Sequence, residues 1–275
     1  IKKILDLVDF FRAEYIVNFA SQGMVAESWL NPMHWYRTNL LSQVAFHDGI
    51  RNKKFLKKYI HISTPEVYGD TKDWIKENHD FKPTTPYSIS RAACDMHLLS
   101  YHKAYDFPVV FTRAANVYGP GQSLINPYTG ILSIFSTRIL NNNPVYVFED
   151  GMESRDFVFI DDVIDATVLS IEDNIVSSDS FNVGSGESIN ILAVAESLKK
   201  MYHSNIDIKI TGTYRLGDIR HNKADISKIN SCLGYSPKVS FEFGLQKFVN
   251  WVKTQNIELD NYDQSISELK NKGLI

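Results

Sequence analysis

Apolar positions in the first 120 residues follow two alternating periods. Residues 1–13 carry apolar side chains at helical spacing, and short β-rich apolar runs then alternate with longer helical segments. The pattern predicts further helices over 32–51 and 86–105, and buried strands over 15–20, 59–63 and 108–112. Because strands and helices alternate along the chain, we expect an α/β fold built on a parallel sheet.

The pattern of predicted elements changes after about residue 120. Shorter elements separated by polar loops follow, and strong helical patterns recur over 187–203 and 241–254. The sequence contains no Gly/Ser-rich or Pro-rich linker and no internal repeat. We therefore expect a main α/β domain over 1–120 and a smaller α/β lobe over 121–275, with returns of the later segment to the main sheet.

Composition and charge narrow the classes of partner. The 275 residues are 44% hydrophobic with a formal net charge of -3, so we expect a packed core and no nucleic-acid partner. No apolar run approaches the ~20 residues that span a bilayer, and no signal peptide is recognisable. Cys94 and Cys232 fit neither a metal site nor a disulfide framework. These features predict a cytoplasmic protein with no metal and no membrane partner.

Hydroxyl, carboxyl and guanidinium groups cluster at the ends of predicted elements. Ser63 and Thr64 end a strand and Glu66 follows, which places all three at the carboxyl edge of a parallel sheet, where ligands bind. Tyr87 and Arg91 lie four residues apart on one helix face, so the cation can favour ionisation of the phenol. A plain contact between a tyrosine and an arginine on a helix surface is the alternative for this pair.

An ordered set of short motifs spans nearly the whole chain. The motifs are NFAS (18–21), ES (27–28), TN (38–39), STPEVYG (63–69), TPY (85–87), RAANVYGP (113–120), RDFV (155–158), DDV (161–163), FNVG (181–184), and Arg215 with GD (217–218). Together they resemble the extended short-chain dehydrogenases/reductases, in the branch of nucleotide-sugar epimerases and dehydratases. Each motif is weak alone, whereas their order along the chain is specific.

The resemblance implies a Rossmann-type doubly wound parallel sheet that binds NAD. Residues 1–120 would be the remainder of the dinucleotide-binding domain, and 121–275 mainly the lobe that binds a nucleoside-diphosphate sugar. Family members open with a strand and a glycine-rich turn that receives the pyrophosphate. No such turn precedes Ala20, so we expect an N-terminally truncated sheet, with roughly 60 residues before Ile1 in the natural protein. An intact mass of 31.4 kDa for the natural protein would contradict this expectation.

The resemblance also assigns roles to individual residues. The implied catalytic residues are Thr64, Glu66, Tyr87 and Arg91, although the family carries lysine at the position of Arg91. The implied cofactor-binding residues are Ala20, Ser21, Asn39, Ser63, Tyr87 and Arg91. The implied substrate-binding residues are Glu27, Asn116, Arg155, Arg215 and Asp218. A structural ion pair with Asp156 or Asp161 is the alternative for Arg155.

The motifs leave three functions open. Glu66 stands at the position of the base in 4,6-dehydratases, which makes an NAD-dependent nucleotide-sugar 4,6-dehydratase the leading interpretation. Dehydratases usually place an aspartate immediately before this glutamate, whereas Pro65 stands there, and segments 126–130 and 217–221 look more like 4-epimerases. A 4-epimerase of the same fold is therefore the first alternative. An inactive protein that binds sugar nucleotides is the second, favoured by Arg91, Pro65 and the missing glycine-rich turn.

The resemblance implies a homodimer as well. Helices 32–51 and 86–105 would pair with those of a second subunit in a four-helix bundle. Apolar side chains that could serve this contact are Leu40, Leu41, Leu98 and Leu99, and core packing explains some of them equally well.

Overall fold

The computed structural model describes residues 1–128, 130–172, 178–256 and 260–275. The helices are α1 Lys2–Phe11, α2 Pro32–Tyr36, α3 Ser42–Ile50, α4 Pro86–Tyr105, α5 Ile131–Leu140, α6 Ile160–Glu172, α7 Ile191–Met201, α8 Ser227–Leu233, α9 Phe241–Val252 and α10 Tyr262–Asn271. The strands are β1 Tyr15–Asn18, β2 Lys58–Ser63, β3 Val109–Ala114, β4 Asn116–Tyr118, β5 Val145–Val147, β6 Ser154–Arg155, β7 Phe157–Phe159, β8 Asp179–Val183, β9 Ile189–Asn190, β10 Ile208–Ile210 and β11 His221–Asn222.

Four parallel strands form the main sheet in the order β1-β2-β3-β8. Every residue of β3 is buried, because helices cover both faces of the sheet. On one face α3 and α4 pack onto β3 through a cluster that includes Phe46, Leu98 and Phe111. On the other face α6 and α8 pack through Val163 and Ile229. The coverage of both faces makes this the doubly wound α/β arrangement that the sequence predicts.

A second core lies in the later part of the chain. Helices α5, α7 and α9 pack around β5 and β7 through Phe135, Val145, Leu198 and Phe248. Strand β8 lies outside this core, because it pairs with β3 in the main sheet, Phe181 opposite Thr112. The later segment thus builds a lobe and also contributes to the sheet. The domain division at residue 120 stays a prediction.

Most predicted elements lie where the hydrophobic pattern places them. Helix α4 has the predicted bounds, and α2 and α3 form one helical run joined by a π-helical turn, Arg37–Leu41. The helix predicted from residue 187 begins only at Ile191, so its predicted start is wrong. Asn190 caps this helix, since its Oδ1 accepts a hydrogen bond from the Ala193 amide at 2.8 Å, and β9 precedes it.

The structure also shows which of the leucines and cysteines noted in the sequence are buried and which are exposed. Leu98 belongs to the core and is fully buried, so it is unavailable for the subunit contact considered for it, whereas Leu41 is 55% exposed. Cys94 is buried and Cys232 is exposed, and both are free thiols. Across the described residues, no helix combines the length and the apolar character needed to cross a membrane.

Candidate active site

The turn after β2 carries Thr64 and Glu66. Thr64 caps a 3-10 turn, Pro65–Tyr68, and its Oγ1 accepts a hydrogen bond from the Glu66 amide at 3.3 Å. Gly69 ends the turn at a φ of 75°, where a Cβ would lie 2.2 Å from the Lys82 carbonyl oxygen. Glycine is therefore required there, and the turn holds Thr64 and Glu66 at the carboxyl edge of the sheet.

The start of α4 places Tyr87 beside this turn. Thr85 and Ser88 form a capping box, and Pro86 occupies the first helical position, so the helix begins at a defined residue. The Thr64 hydroxyl lies close enough to the phenol of Tyr87 to act on its pKa. Burial raises the pKa of Tyr87, and the opposing effects of Arg91 and Thr64 are smaller. The positive charge of Arg91 thus acts to lower the pKa of Tyr87, as expected, but burial raises that pKa by more.

Arg91 lies one turn after Tyr87 and is buried. Its Nη2 donates to the carbonyl oxygen of Ile62, whereas Nε and Nη1 have no hydrogen-bond partner among the residues that the structure describes. Buried donors of this kind are costly unless a ligand or water satisfies them. The guanidinium therefore has hydrogen bonds to offer beside the phenol of Tyr87.

A buried network anchored on Asp95 lies beneath these groups. Asp95 accepts hydrogen bonds from the Ser63 hydroxyl at 2.8 Å and from Arg113 Nε at 3.2 Å. Burial alone would raise the pKa of Asp95, but nearby His61, whose Nε2 lies 3.4 Å from Oδ1, and the charge of Arg113 outweigh it, so the pKa is lowered. The Ser63 side chain is thus engaged inside the protein, and a cofactor contact for Ser63 stays a prediction.

Glu66, in the turn after β2, lines a cavity of about 310 Å³. Burial raises the pKa of Glu66 to about 7, although Arg155 and Arg215 act to lower it. Its Oε2 is buried and has no partner within the described part of the chain. A carboxyl group with a pKa near 7 can both accept and return a proton at neutral pH, which is the property that general acid–base catalysis requires.

The raised pKa of Glu66 predicts a pH-dependent gain in stability on its replacement by glutamine. A carboxyl whose pKa rises from 4.5 to about 7 on folding favours the folded state below pH 4.5, and loses that contribution as the pH rises through 7. Glu66→Gln keeps the site neutral, so above pH 7 it should stabilise the protein by roughly 3 kcal/mol.

Thermal unfolding at a series of pH values measures this effect. The Glu66→Gln variant and the wild type should unfold at similar temperatures near pH 4.5 and diverge as the pH increases. Glu187 is exposed, so Glu187→Gln serves as the control and should show no such divergence. A constant difference between Glu66→Gln and wild type at all pH values would contradict the raised pKa.

Two arginines and an aspartate, Arg155, Arg215 and Asp218, lie together in the cavity that Glu66 lines. Asp218 pairs with Arg155 Nη2 at 3.2 Å and with Arg215 Nη2 at 2.6 Å. Both Nη groups of Arg155 also donate to backbone carbonyls, of Ser154 at 3.0 Å and of Ile219 among others. Arg155 therefore forms its ion pair with Asp218 and not with Asp156 or Asp161, as the alternative for it had it. The guanidinium of Arg215 has fewer hydrogen-bond partners than that of Arg155.

Asn116 and Glu27 complete the predicted substrate set. Asn116, Arg155, Arg215 and Asp218 line the same cavity as Glu66. Glu27 is buried near Arg215, and burial raises its pKa. Cavity-lining residues that the sequence did not single out include Tyr128, Phe148, Glu153 and Tyr262. Tyr128 belongs to segment 126–130, whose Thr129 lies outside the described residues.

The remaining predicted cofactor residues differ in accessibility. Ala20 and Ser21 are exposed just beyond the carboxyl end of β1. Asn39 is fully buried in the π-helical turn, where its Oδ1 accepts from the Gln22 amide at 2.7 Å and its Nδ2 donates to Ser90 at 3.0 Å. The Asn39 side chain thus holds the loop after β1 in place, and its contact with a cofactor stays a prediction.

Comparison with known proteins places this geometry in a family. The sequence matches the model of the GDP-mannose 4,6 dehydratase family over residues 2–248. The chain belongs to this family. Its members are nucleotide-sugar dehydratases and epimerases of the extended short-chain dehydrogenase/reductase class, in agreement with the motifs.

Relatives of this family member include both kinds of enzyme. It is 36% identical to the dTDP-L-rhamnose 4-epimerase of Burkholderia thailandensis over 171 residues, which is 62% of this chain and 47% of that protein. It therefore spans about half the length of that relative. It is 30% identical to the dTDP-glucose 4,6-dehydratase of an Actinoplanes species, over 88% of this chain and 74% of that protein.

A solved structure shows the same fold. The UDP-glucuronic acid 4-epimerase of Bacillus cereus, in complex with UDP-glucuronic acid and NAD, superposes with a TM-score of 0.85 and 27% identity. The superposition covers 91% of this family member and 78% of the epimerase. The comparisons thus establish a Rossmann-type nucleotide-sugar dehydratase or epimerase fold without choosing between the two reactions.

Proposed function

We propose that this protein is an NAD-dependent 4,6-dehydratase of a nucleoside-diphosphate hexose. The observation that carries the proposal is Glu66, a cavity-lining carboxyl whose pKa is raised to about 7 beside the Tyr87 and Thr64 pair. A C4 epimerisation needs one proton acceptor at the sugar hydroxyl, whereas dehydration needs a second group that acts at C5 and C6. Glu66 has the position and the pKa of that second group.

The residues around Tyr87 fit the nicotinamide cofactor. Arg91 has two buried donors without partners in the described chain, which suit the hydroxyl groups of a ribose. Ala20 and Ser21 lie exposed at the carboxyl edge of the sheet, where dinucleotides bind in this fold. NAD, when bound, would supply the hydride acceptor and donor that oxidation at C4 and reduction at C6 require.

Proton transfers by the protein's own side chains account for the rest of the reaction. Tyr87 takes the proton of the C4 hydroxyl as C4 becomes a ketone, and Thr64 holds that hydroxyl in place. The ketone acidifies the hydrogen at C5, which Glu66 removes as a proton. The hydroxyl at C6 then leaves as water, and Pro65 has no proton to donate to it. Glu66 can deliver the proton that it has just accepted to the departing hydroxyl, so one carboxyl serves both steps. As C6 is reduced, C5 takes a new proton from solvent through Glu66, and Tyr87 releases its proton to solvent, so the protons balance.

The cavity suits the nucleotide part of such a substrate. Arg215 points a partly free guanidinium into it, and guanidinium forks bind diphosphates well. The carboxylate of Asp218 suits a ribose diol, and the pKa of Asp218 stays low because Arg215 and Arg155 outweigh the effect of burial. We propose that Glu27, Asn116 and Arg155 assist in this binding.

A 4-epimerase remains the second candidate, because Pro65 removes the acid that usually assists dehydration. Incubation of the protein and NAD with UDP-, dTDP- and GDP-hexoses separates the two. We expect a product lighter than its substrate by one water, a 4-keto-6-deoxy sugar. A product of unchanged mass with inverted C4 would establish the epimerase. Binding without any turnover would establish an inactive sugar-nucleotide binder instead.

We also propose a homodimer formed through the helical surfaces of α2, α3 and α4. Apolar side chains are exposed on these elements and on the turn that joins α2 and α3, namely Met33, Leu41, Ile89 and Met96. A second copy of the chain would cover them in a four-helix bundle. The molecular mass in solution tests this, and a monomer at micromolar concentration would contradict it.

A further inference from the structure

A buried ion pair between Asp95 and Arg113 lies behind the candidate active site, and the proposed proton transfers do not use it. Asp95 belongs to α4 and Arg113 belongs to β3. Arg113 Nε donates to Asp95 Oδ2 at 3.2 Å, and both side chains are almost completely excluded from solvent. The cost of removing two charges from water can exceed the attraction between them, so a buried pair is weak evidence for added stability. The stability of the fold therefore does not account for this pair.

The two members of the ion pair hold the 3-10 turn Pro65–Tyr68 from both sides. Before the turn, the Ser63 hydroxyl donates to Asp95 Oδ1 at 2.8 Å. At the last residue of the turn, the Tyr68 hydroxyl accepts a hydrogen bond from Arg113 Nη1 at 2.7 Å. The Arg113 guanidinium also lies over the Tyr68 ring, 5.2 Å from its centroid. The stretch of backbone between these two contacts is therefore tied at each end to the same ion pair.

This ion pair also joins the turn to helix α4. Thr64 and Glu66 lie within the tied stretch of backbone, whereas Tyr87 and Arg91 lie in the first two turns of α4. Asp95 follows Tyr87 on the same helix by about two turns. Because side chains on a helix keep their relative positions, a helix held at Asp95 places Tyr87 at a fixed distance from the turn.

Resting on the proposed function, we propose that Asp95 is a positioning residue for dehydration. Together with Arg113, it holds the carboxyl of Glu66 and the phenol of Tyr87 at the separation at which both reach one hexose. The phenol acts at C4 and the carboxyl at C5, which are adjacent carbons, so neither group can shift without losing its place on the same bond. A misplacement of about 1 Å, even from a change far from the chemistry, can cost about 10²-fold in rate.

An apolar replacement of the ion pair separates positioning from stability. Asp95→Leu combined with Arg113→Met removes both charges together and leaves side chains of related shape, which a buried site tolerates well. We expect this double variant to be folded, with kcat lowered about 10–100-fold and KM within about twofold of the wild type. A pair that served only stability would give the wild-type kcat in any variant that folds. Thermal unfolding and steady-state kinetics, recorded well below the unfolding temperature, measure the two effects.

Tyr68→Phe tests the same connection through the loss of one oxygen atom. Phenylalanine keeps a ring beneath the Arg113 guanidinium but cannot accept the hydrogen bond from Nη1, so the end of the turn is released. We expect kcat to fall about 2–10-fold with KM unchanged, the effect of one hydrogen bond. Added to the apolar double variant, Tyr68→Phe should lower kcat no further, because the connection is already lost.

The control is Ile229→Val, which removes one methyl group from the core on the opposite face of the main sheet. It lowers stability without touching the ion pair, so its kcat should equal that of the wild type. Wild-type kcat in the folded double variant or in Tyr68→Phe would overturn the role of Asp95 and leave the proposed function standing. If the double variant does not fold, Tyr68→Phe alone decides. Absence of turnover by the wild type, or turnover without loss of water, would instead overturn the proposed function, and this inference with it.

Discussion

Tyr87→Phe should lower kcat by roughly 10²–10⁴-fold, because positioned proton transfer contributes about that much to catalysis. The phenol lies beside Thr64 and is the group that takes the proton of the C4 hydroxyl in the proposed mechanism. The affinity for nucleoside diphosphates should stay within about twofold of the wild type, because Tyr87 does not line the cavity that holds Arg155 and Arg215, the proposed diphosphate contacts. Steady-state kinetics and equilibrium binding measure the two quantities separately.

Tyr105→Phe provides the matched control for this change. Tyr105 ends the same helix and is 47% exposed, so removal of its hydroxyl should leave kcat unchanged. Turnover by Tyr87→Phe at the wild-type rate would show that another group accepts the proton of the C4 hydroxyl.

Glu66→Gln should lower the rate of water loss by roughly 10²–10⁴-fold while leaving the first oxidation intact. Glutamine cannot accept the C5 proton, so substrate oxidised at C4 should accumulate on the enzyme. The absorbance of the reduced nicotinamide, recorded after substrate is added, measures that accumulation. In an epimerase the same variant would continue to turn over.

The pH profile gives a second measure of Glu66. Because its pKa is raised to about 7 and the base must be ionised, the wild-type rate should fall as the pH decreases below 7. The residual rate of Glu66→Gln should lack this step, whereas Glu187→Gln should retain it. Wild-type turnover of Glu66→Gln would remove the case for dehydration.

The parts of the site that depend on local patterns were predictable from sequence. Thr85 and Pro86 define the start of α4, which places Tyr87 and Arg91 on one face. Thr64 and Glu66 follow a buried strand, so they had to lie at the carboxyl edge of the sheet. Period and spacing thus place each of the two pairs, whereas their convergence in one site was implied by the family resemblance. The involvement of Arg215 and Asp218, far along the chain, came through the family resemblance.

Side-chain partners set by the tertiary structure were not predictable. Ser63 and Asn39 occupy predicted cofactor positions, yet their side chains bond to Asp95 and to the Gln22 backbone. Nothing in the spacing of the sequence indicates which partner a polar group at a strand end will find. Glu153 was missed for the same reason, because its neighbours in sequence are mostly polar and the cavity forms only when the lobe packs.

Solvent deuterium is the most direct test of the central claim. Protein and NAD would be incubated with the accepted nucleotide hexose in deuterium oxide, and the product examined by mass spectrometry and NMR. In the proposed mechanism the departing water carries away the original C5 proton and C5 takes a new one from solvent, so we expect a 4-keto-6-deoxy product with deuterium at C5. A C4 epimer without deuterium at C5 would contradict the dehydratase assignment.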